Sequence, residues 1–181
     1  VVNNANIYLP FAGGNQGVVQ WLGTTAIKVK EVEINSLGDL EDITSNNLSR
    51  KMNYKLNIDL DVSSITSGSA IISDTFTGTF DGNNHMISNL KLPLFDSLQG
   101  TVKNLELENM NFNSSGTSSV GALAKTSNSA TVENIKVNNV TINGRENLAG
   151  LVGVATNSTF NKITLDNINI TGPRFYIGGI I

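Results

Sequence analysis

TVKNLELENMNF (101–112), TVENIKVNNVTI (131–142) and TFNKITLDNINI (159–170) align without a gap, with 30 and then 28 residues between their first threonines. A second block recurs in phase with them: VGALAK (120–125), AGLVGV (149–154) and IGGII (177–181), spaced by 29 and 28 residues. Two blocks repeating together define one structural unit of about 28 to 30 residues, the period of a solenoid. Within the first block apolar residues alternate. Leu105 and Leu107 correspond to Ile135 and Val137, then to Ile163 and Leu165. A period of two is a strand signal.

The alternation then slips. The next apolar pairs are Met110 and Phe112, Val140 and Ile142, Ile168 and Ile170, so Leu107 and Met110 lie three apart. Both face inward only if the chain bends between them. The bend residues are Glu108-Asn109, Asn138-Asn139 and Asp166-Asn167. Asparagine is the non-glycine residue that best tolerates positive φ. Short strands with bends at fixed positions stack as a right-handed parallel β-helix, each coil about 4.8 Å above the last. Asn109, Asn139 and Asn167 are then expected to form a stacked amide ladder. Leu105/Ile135/Ile163 and Met110/Val140/Ile168 are expected to form apolar ladders inside. A shorter coil is expected below, from the match of ISNLKL (87–92) to VKNLEL (102–107), with Pro93-Leu94-Phe95 standing where VGALAK stands later.

The first part of the chain reads differently. Residues 26–34 alternate with a slip at Glu31 and read as a strand. Ser36, with Asp39 three residues on and Leu37, Leu40 and Ile43 on one face, reads as a capped helix. Tyr54, Leu56, Ile58, Leu60 and Val62 alternate as one strand, pointing in. A solenoid needs its first coil covered against edge-to-edge pairing. The fold class expected is therefore all-β: a small mixed α+β cap over residues 1–50, then the β-helix over 51–181. Ile177 to Ile181 read as an open edge, as if the native chain continued.

Composition narrows the function. Charged residues are 15% of the 181, and 26 asparagines stand in their place. Stacked like charges repel at every coil, which accounts for the low charge. A net charge of −3 offers no basic surface for phosphates, so no nucleic-acid partner is expected. No segment approaches the ~18 to 20 apolar residues of a membrane span. Zero cysteines exclude disulfides, thiol catalysis and Cys-ligated zinc. The single histidine, His85, excludes a site built on two imidazoles.

Few residues suggest chemistry. His85, in the turn DGNNHM (81–86), reads as a turn residue whose ring bonds nearby backbone, against a rival reading as base or metal ligand. Asp59, Asp61, Asp74, Asp81 and Asp96 are numerous enough to suggest a calcium site or an acid–base pair, but nothing aligns them on one face. Asp59 and Asp61 read as exposed strand residues. No catalytic or metal-ligating residue is assigned. Arg145, Arg174 and Tyr176 fall in equivalent loops and form the candidate binding patch, with an aromatic centre suited to contact. Trp21 reads as cap core. Five Asn-x-Ser/Thr sequons, at Asn47, Asn113, Asn139, Asn157 and Asn169, are close to chance in so asparagine-rich a chain.

Gly150-Leu151-Val152-Gly153 is a GLUG-type motif, and Gly121-Ala122-Leu123-Ala124 a looser copy. FTGTFDGNNH (76–85) resembles the entry to such repeats in Gram-positive surface proteins. The run from Ile34 to Ile181 resembles the N-terminal, non-catalytic region of immunoglobulin A-cleaving zinc metalloproteases. In that family a helix and an Asp-x-Asp strand precede the repeats, and Ser36 to Asn47 and Asp59-Leu60-Asp61 hold those places here. Residues 1–33 carry no such resemblance. The family's H-E-x-x-H zinc motif is absent, so the resemblance carries no catalytic residue onto this chain. It implies that zinc belongs to the parent protein, outside these residues. Leu9-Pro10-Phe11-Ala12-Gly13 is one residue from a sortase signal of the kind that family carries, but no apolar span and basic tail follow it, and it reads as a plain loop.

The resemblance implies a secreted or wall-anchored Gram-positive protein whose partners are a host protein or glycoprotein, immunoglobulin A among them, or its own downstream domains. The leading reading is a non-catalytic scaffold or binding module. The alternatives are an adhesin module with no protease in its parent, and a carbohydrate-active β-helix enzyme.

Overall fold

The computed structural model describes residues 31–113, 119–172 and 177–181, and the backbone of the strands within residues 6–29. It is the expected parallel β-helix. Asn53–Leu56, Thr79–Asp81, Thr101–Asn113, Thr131–Asn143 and Thr159–Thr171 stack in register as neighbours in one parallel sheet. We name each coil after the first residue of that strand. A second wall stacks Ile72–Phe76, Phe95–Leu98, Ala124–Asn128 and Val152–Thr156. A third stacks Val120–Gly121, Leu148–Ala149 and Ile177–Gly178.

Why the long strands curl is legible in their burial. In the Thr101 coil Val102, Leu105, Leu107, Met110 and Phe112 are buried, at intervals of three, two, three and two. A straight strand cannot bury residues three apart. The chain bends twice, at Asn104 (φ 52°) and Asn109 (φ 55°), and the Thr131 coil repeats this at Asn134 (φ 53°) and Asn139 (φ 56°). In the Thr159 coil Lys162 (φ 52°) and Asn167 (φ 52°) take these places. The slip between Leu107 and Met110 exposed the second bend in the sequence. The first bend leaves the same signal, with Val102 and Leu105 three residues apart.

Stacking makes the core continuous. Val32, Tyr54, Phe80, Val102, Val132 and Phe160 form one file, and Leu60, Ile87, Leu107, Val137 and Leu165 another. The lower coils are filled by aromatics: Phe76 and Phe95 lie 5.1 Å apart between centroids, and Phe80 meets Phe95 edge-on at 5.9 Å. Such pairs add about 0.5–1.5 kcal/mol to burial alone.

Four local expectations are corrected. Residues 26–34 are two strands: Ala26–Val29 closes an antiparallel meander with Asn6–Pro10 and Gln16–Leu22, while Val32–Ile34 pairs parallel with Asn53–Leu56 and so joins the solenoid sheet. The strand expected over 54–62 breaks after Leu56, and Ile58 points outward. Backbone 57–59 turns there, delivering Asp59 to the next coil. Ile87 lies beneath Leu107, not beneath Val102. ISNLKL flanks the second bend of the Thr79 coil and VKNLEL the first bend of the Thr101 coil, and the two resemble each other because each bends at an asparagine. The His85 ring bonds a carboxylate and not backbone, as described below. The helix is Leu37–Asp42, with the Ser36 side chain accepting from the Asp39 N–H and Leu40 and Ile43 fully buried.

Candidate functional site

Two polar ladders run up the bends. On the first, Asn134 donates its side-chain amide to Asn104 (2.9 Å), and Asn104 donates to Asp81 (3.1 Å). On the second, Asn167 donates to Asn139 (3.1 Å) and Asn139 to Asn109 (3.3 Å). Below it Asn89 (φ 63°) donates to Asp61 at 3.0 Å. Left-handed backbone places each amide over its predecessor, and the vertical bonds hold the coils in register.

The bases of the ladders are carboxylates. Asp81 is acted on by burial, which raises its pKa. The Asn83 N–H, the Asn104 amide and the Lys103 ammonium outweigh that and leave it below the ordinary carboxylate value. Asp61 is lowered by the backbone N–H of Ser63 (2.8 Å). Asp59 is lowered by the N–H of Met86 (2.9 Å) and by the His85 ring, whose Nδ1 lies 3.0 Å away. His85 thus ties one coil to the next.

Charge is arranged by file. Glu33, Lys55, Asp81, Lys103 and Glu133 stand one above another, alternating in sign, and Asn161 tops them. Lys103 bonds Asp81 at 3.1 Å. In other files Lys125 meets Asp96 at 2.7 Å and Lys136 meets Glu106 at 3.9 Å. The file Asp61, Ser88, Glu108, Asn138, Asp166 keeps its acids apart with a neutral residue at every second coil. Like-charge repulsion therefore acts through order as well as through composition. Sequence reading missed this because the lower coils do not share the 28–30-residue period.

The GLUG glycines are there for space. A Cβ on Gly150 would come within 2.6 Å of the Gly179 carbonyl oxygen, and one on Gly153 within 2.7 Å of the Val120 nitrogen. Leu151 and Val152, adjacent in sequence, are both fully buried because the chain turns a corner there. Arg145 is exposed in the loop after Asn143. Arg174 and Tyr176 lie outside the described residues, as does Phe11-Ala12-Gly13 of the sortase-like stretch. Among the described residues no three His, Cys, Asp or Glu side chains converge as metal ligands, and no helix is long and apolar enough to cross a membrane.

A family model described as the M26 IgA1-specific metallo-endopeptidase N-terminal region matches residues 16–139. The chain belongs to this M26 N-terminal family. The match begins at residue 16, so it takes in strands Gln16–Leu22 and Ala26–Val29, ahead of the Ile34 at which resemblance was expected to start. Among curated relatives, an immunoglobulin A1 protease of Streptococcus sanguinis is 34% identical over 157 residues, covering 81% of this chain and 8% of the relative. The zinc metalloprotease ZmpC of Streptococcus pneumoniae is 34% identical over 127 residues, 66% of this chain and 6% of that one. Halomucin of Haloquadratum walsbyi is 33% identical over 144 residues, 67% of this chain and 2% of that one. The chain thus spans less than a tenth of these relatives. No solved structure matches it. The family name implies a metal, but this M26 region does not fit zinc: its one imidazole is engaged with Asp59, and no thiolate exists to replace a second.

Proposed function

We propose that this M26 region is a stiff, non-catalytic module of a large extracellular protein of the immunoglobulin A1 protease type. It holds the catalytic part, and the zinc, at a set distance and orientation, and offers its flanks to a host glycoprotein. The observation that supports this is the cross-coil bonding: amide ladders, alternating charges and apolar files all run along one axis. Bending or shearing the rod breaks several at once. A secreted or wall-anchored location follows from the same reading, since an immunoglobulin is met outside the cell.

The test is made in the full-length parent. Replacing residues 1–181 by an unrelated rigid solenoid of the same length should leave kcat for immunoglobulin A1 unchanged. Replacing them by a Gly/Ser linker should lower kcat/KM. Peptidase activity in the isolated segment would overturn the proposal. The similarity to halomucin, not named as a protease, favours a second reading: an adhesin-type repeat in a parent without a protease. A parent chain lacking any H-E-x-x-H would establish that one instead.

A further inference from the structure

At the first bend of the Thr79 coil the chain passes from Asp81 to Met86 through four residues, Gly82 to His85. The two coils above make the same passage in two, Asn104-Leu105 and Asn134-Ile135. The extra residues form a shelf, with Asn83 (φ 52°) and Asn84 (φ 64°) both left-handed and Asn84 exposed. Hydrogen bonds fix it in place. The Asn83 N–H donates to the Asp81 carboxylate at 2.9 Å and the Asn84 N–H to the Asn104 carbonyl at 2.8 Å. The His85 carbonyl accepts from Glu106 N–H at 3.2 Å, and Asp59 accepts from Met86 N–H at 2.9 Å from below. Over the shelf lies a cleft of about 30 Å³, bounded by Asn84, Asn104, Leu105, Glu106, Asn134 and Lys136. That volume takes the hydroxyl-bearing edge of a ligand and not a whole one.

Three features define that ligand. The first is a set of open amide groups. The Asn84 side chain has no partner among the described residues. The ladder uses one side-chain N–H of Asn104 and one of Asn134, which leaves a second donor on each and the Asn134 oxygen as an acceptor. The second is charge neutrality. Lys136 stands 3.9 Å from Glu106, too far for a hydrogen bond, so both offer polar atoms to a third group while their charges cancel. Beside the cleft Lys103 is bonded to Asp81 at 3.1 Å, and Glu133 and Lys162 flank Asn134 with opposite signs. Neither an anion nor a cation gains from such a setting. The third is an apolar ledge: Met86, half-buried, faces outward directly below Glu106 in the same file. Donors, acceptors, no net charge and one apolar contact match a sugar, whose hydroxyl edge is polar and whose C–H face is not.

We propose that the shelf cleft binds a terminal neutral sugar of a glycan, with its hydroxyls on Asn84, Asn134 and the Glu106–Lys136 pair and its C–H face on Met86. The assignment deepens the reading that this flank meets a host glycoprotein, and it is tested apart from the rod, which the solenoid swap tests. The full chain, labelled with ¹⁵N, is titrated with glucose, galactose, mannose and N-acetylglucosamine, and separately with calcium and with sialic acid. At least one neutral sugar should shift the side-chain amide signals of Asn84, Asn104 and Asn134, with a dissociation constant on the order of 1 mM. Asn84→Gly, which keeps the left-handed backbone and removes the amide, should weaken that sugar about tenfold, as should Glu106→Ala. Asn139→Gly, on the other ladder, should bind it like the wild type. No shift with any neutral sugar, shifts confined to another wall, stronger binding of calcium or sialic acid at the cleft, or wild-type affinity in folded Asn84→Gly protein would each overturn the proposal.

Discussion

The Asn104 side-chain amide rests on the Asp81 carboxylate at 3.1 Å, and this contact orients everything above it. A carboxylate only accepts hydrogen bonds, so Asn104 must turn its NH₂ group toward it and its oxygen away. Asn134 then meets an acceptor and must do the same. A ladder seeded by an amide would have two equivalent directions; one seeded by an aspartate has one. Replacing Asp81 by Ala removes the acceptor and strands Lys103, and should destabilise the protein by about 2 kcal/mol. Asp81→Asn should recover roughly half of that. Urea unfolding followed by circular dichroism measures both.

Asn139 supplies two separable things, positive φ and a ladder amide. Asn139→Gly keeps the backbone conformation and loses the amide, at a cost of about 1 kcal/mol. Asn139→Ala loses both and should cost about 1–2 kcal/mol more, the penalty for an ordinary side chain in the left-handed region. Equal destabilisation by the two variants would mean the backbone there is not strained.

Lys103 sits between Asp81 below and Glu133 above. Lys103→Glu places three acids in one file about 4.8 Å apart and should destabilise more than Lys103→Gln. The difference between the two should shrink as salt rises from 0.05 to 1 M, because the Debye length falls from beyond 10 Å to about 3 Å. Adding Glu133→Lys to Lys103→Glu should recover part of the loss.

Asp59, Asp61 and Asp81 are all held below the ordinary aspartate value of 3.8. The unfolded chain therefore binds protons before the folded one does. The stability these acids contribute is complete above that value and is lost as pH falls through their folded pKa values. Thermal stability should hold level down to about pH 4 and drop below it. Asp81→Asn should flatten that drop. Tyr54 acts at the other end: burial raises its pKa from 10.0 to about 12, so its contribution is complete below pH 10.0 and fades as pH climbs toward 12. Tyr54→Phe should remove that alkaline limb, read from melting temperature against pH.

The repeat alone determined the solenoid, the pairing of the long strands of the three upper coils and the bend at Asn109, Asn139 and Asn167; the second block pairs one residue away from the expected register, Gly121 with Ala149 and Ala149 with Gly178, because the corner loops before it differ in length. Local rules sufficed there. A period of two says strand, a slip of one says bend, and an asparagine at the slip says left-handed backbone. The capped helix at Ser36 was legible for the same reason, since a cap bonds within four residues. Tertiary structure decided what depends on stacking between coils of unequal length. Which residue lies over which in the Asn53 and Thr79 coils is set by the core files, with offsets that no sequence period records. The alternating charges from Glu33 to Glu133 and the aspartates seeding the ladder files follow from those offsets. Each is a contact between residues more than 20 positions apart, and only the packed stack brings them within reach.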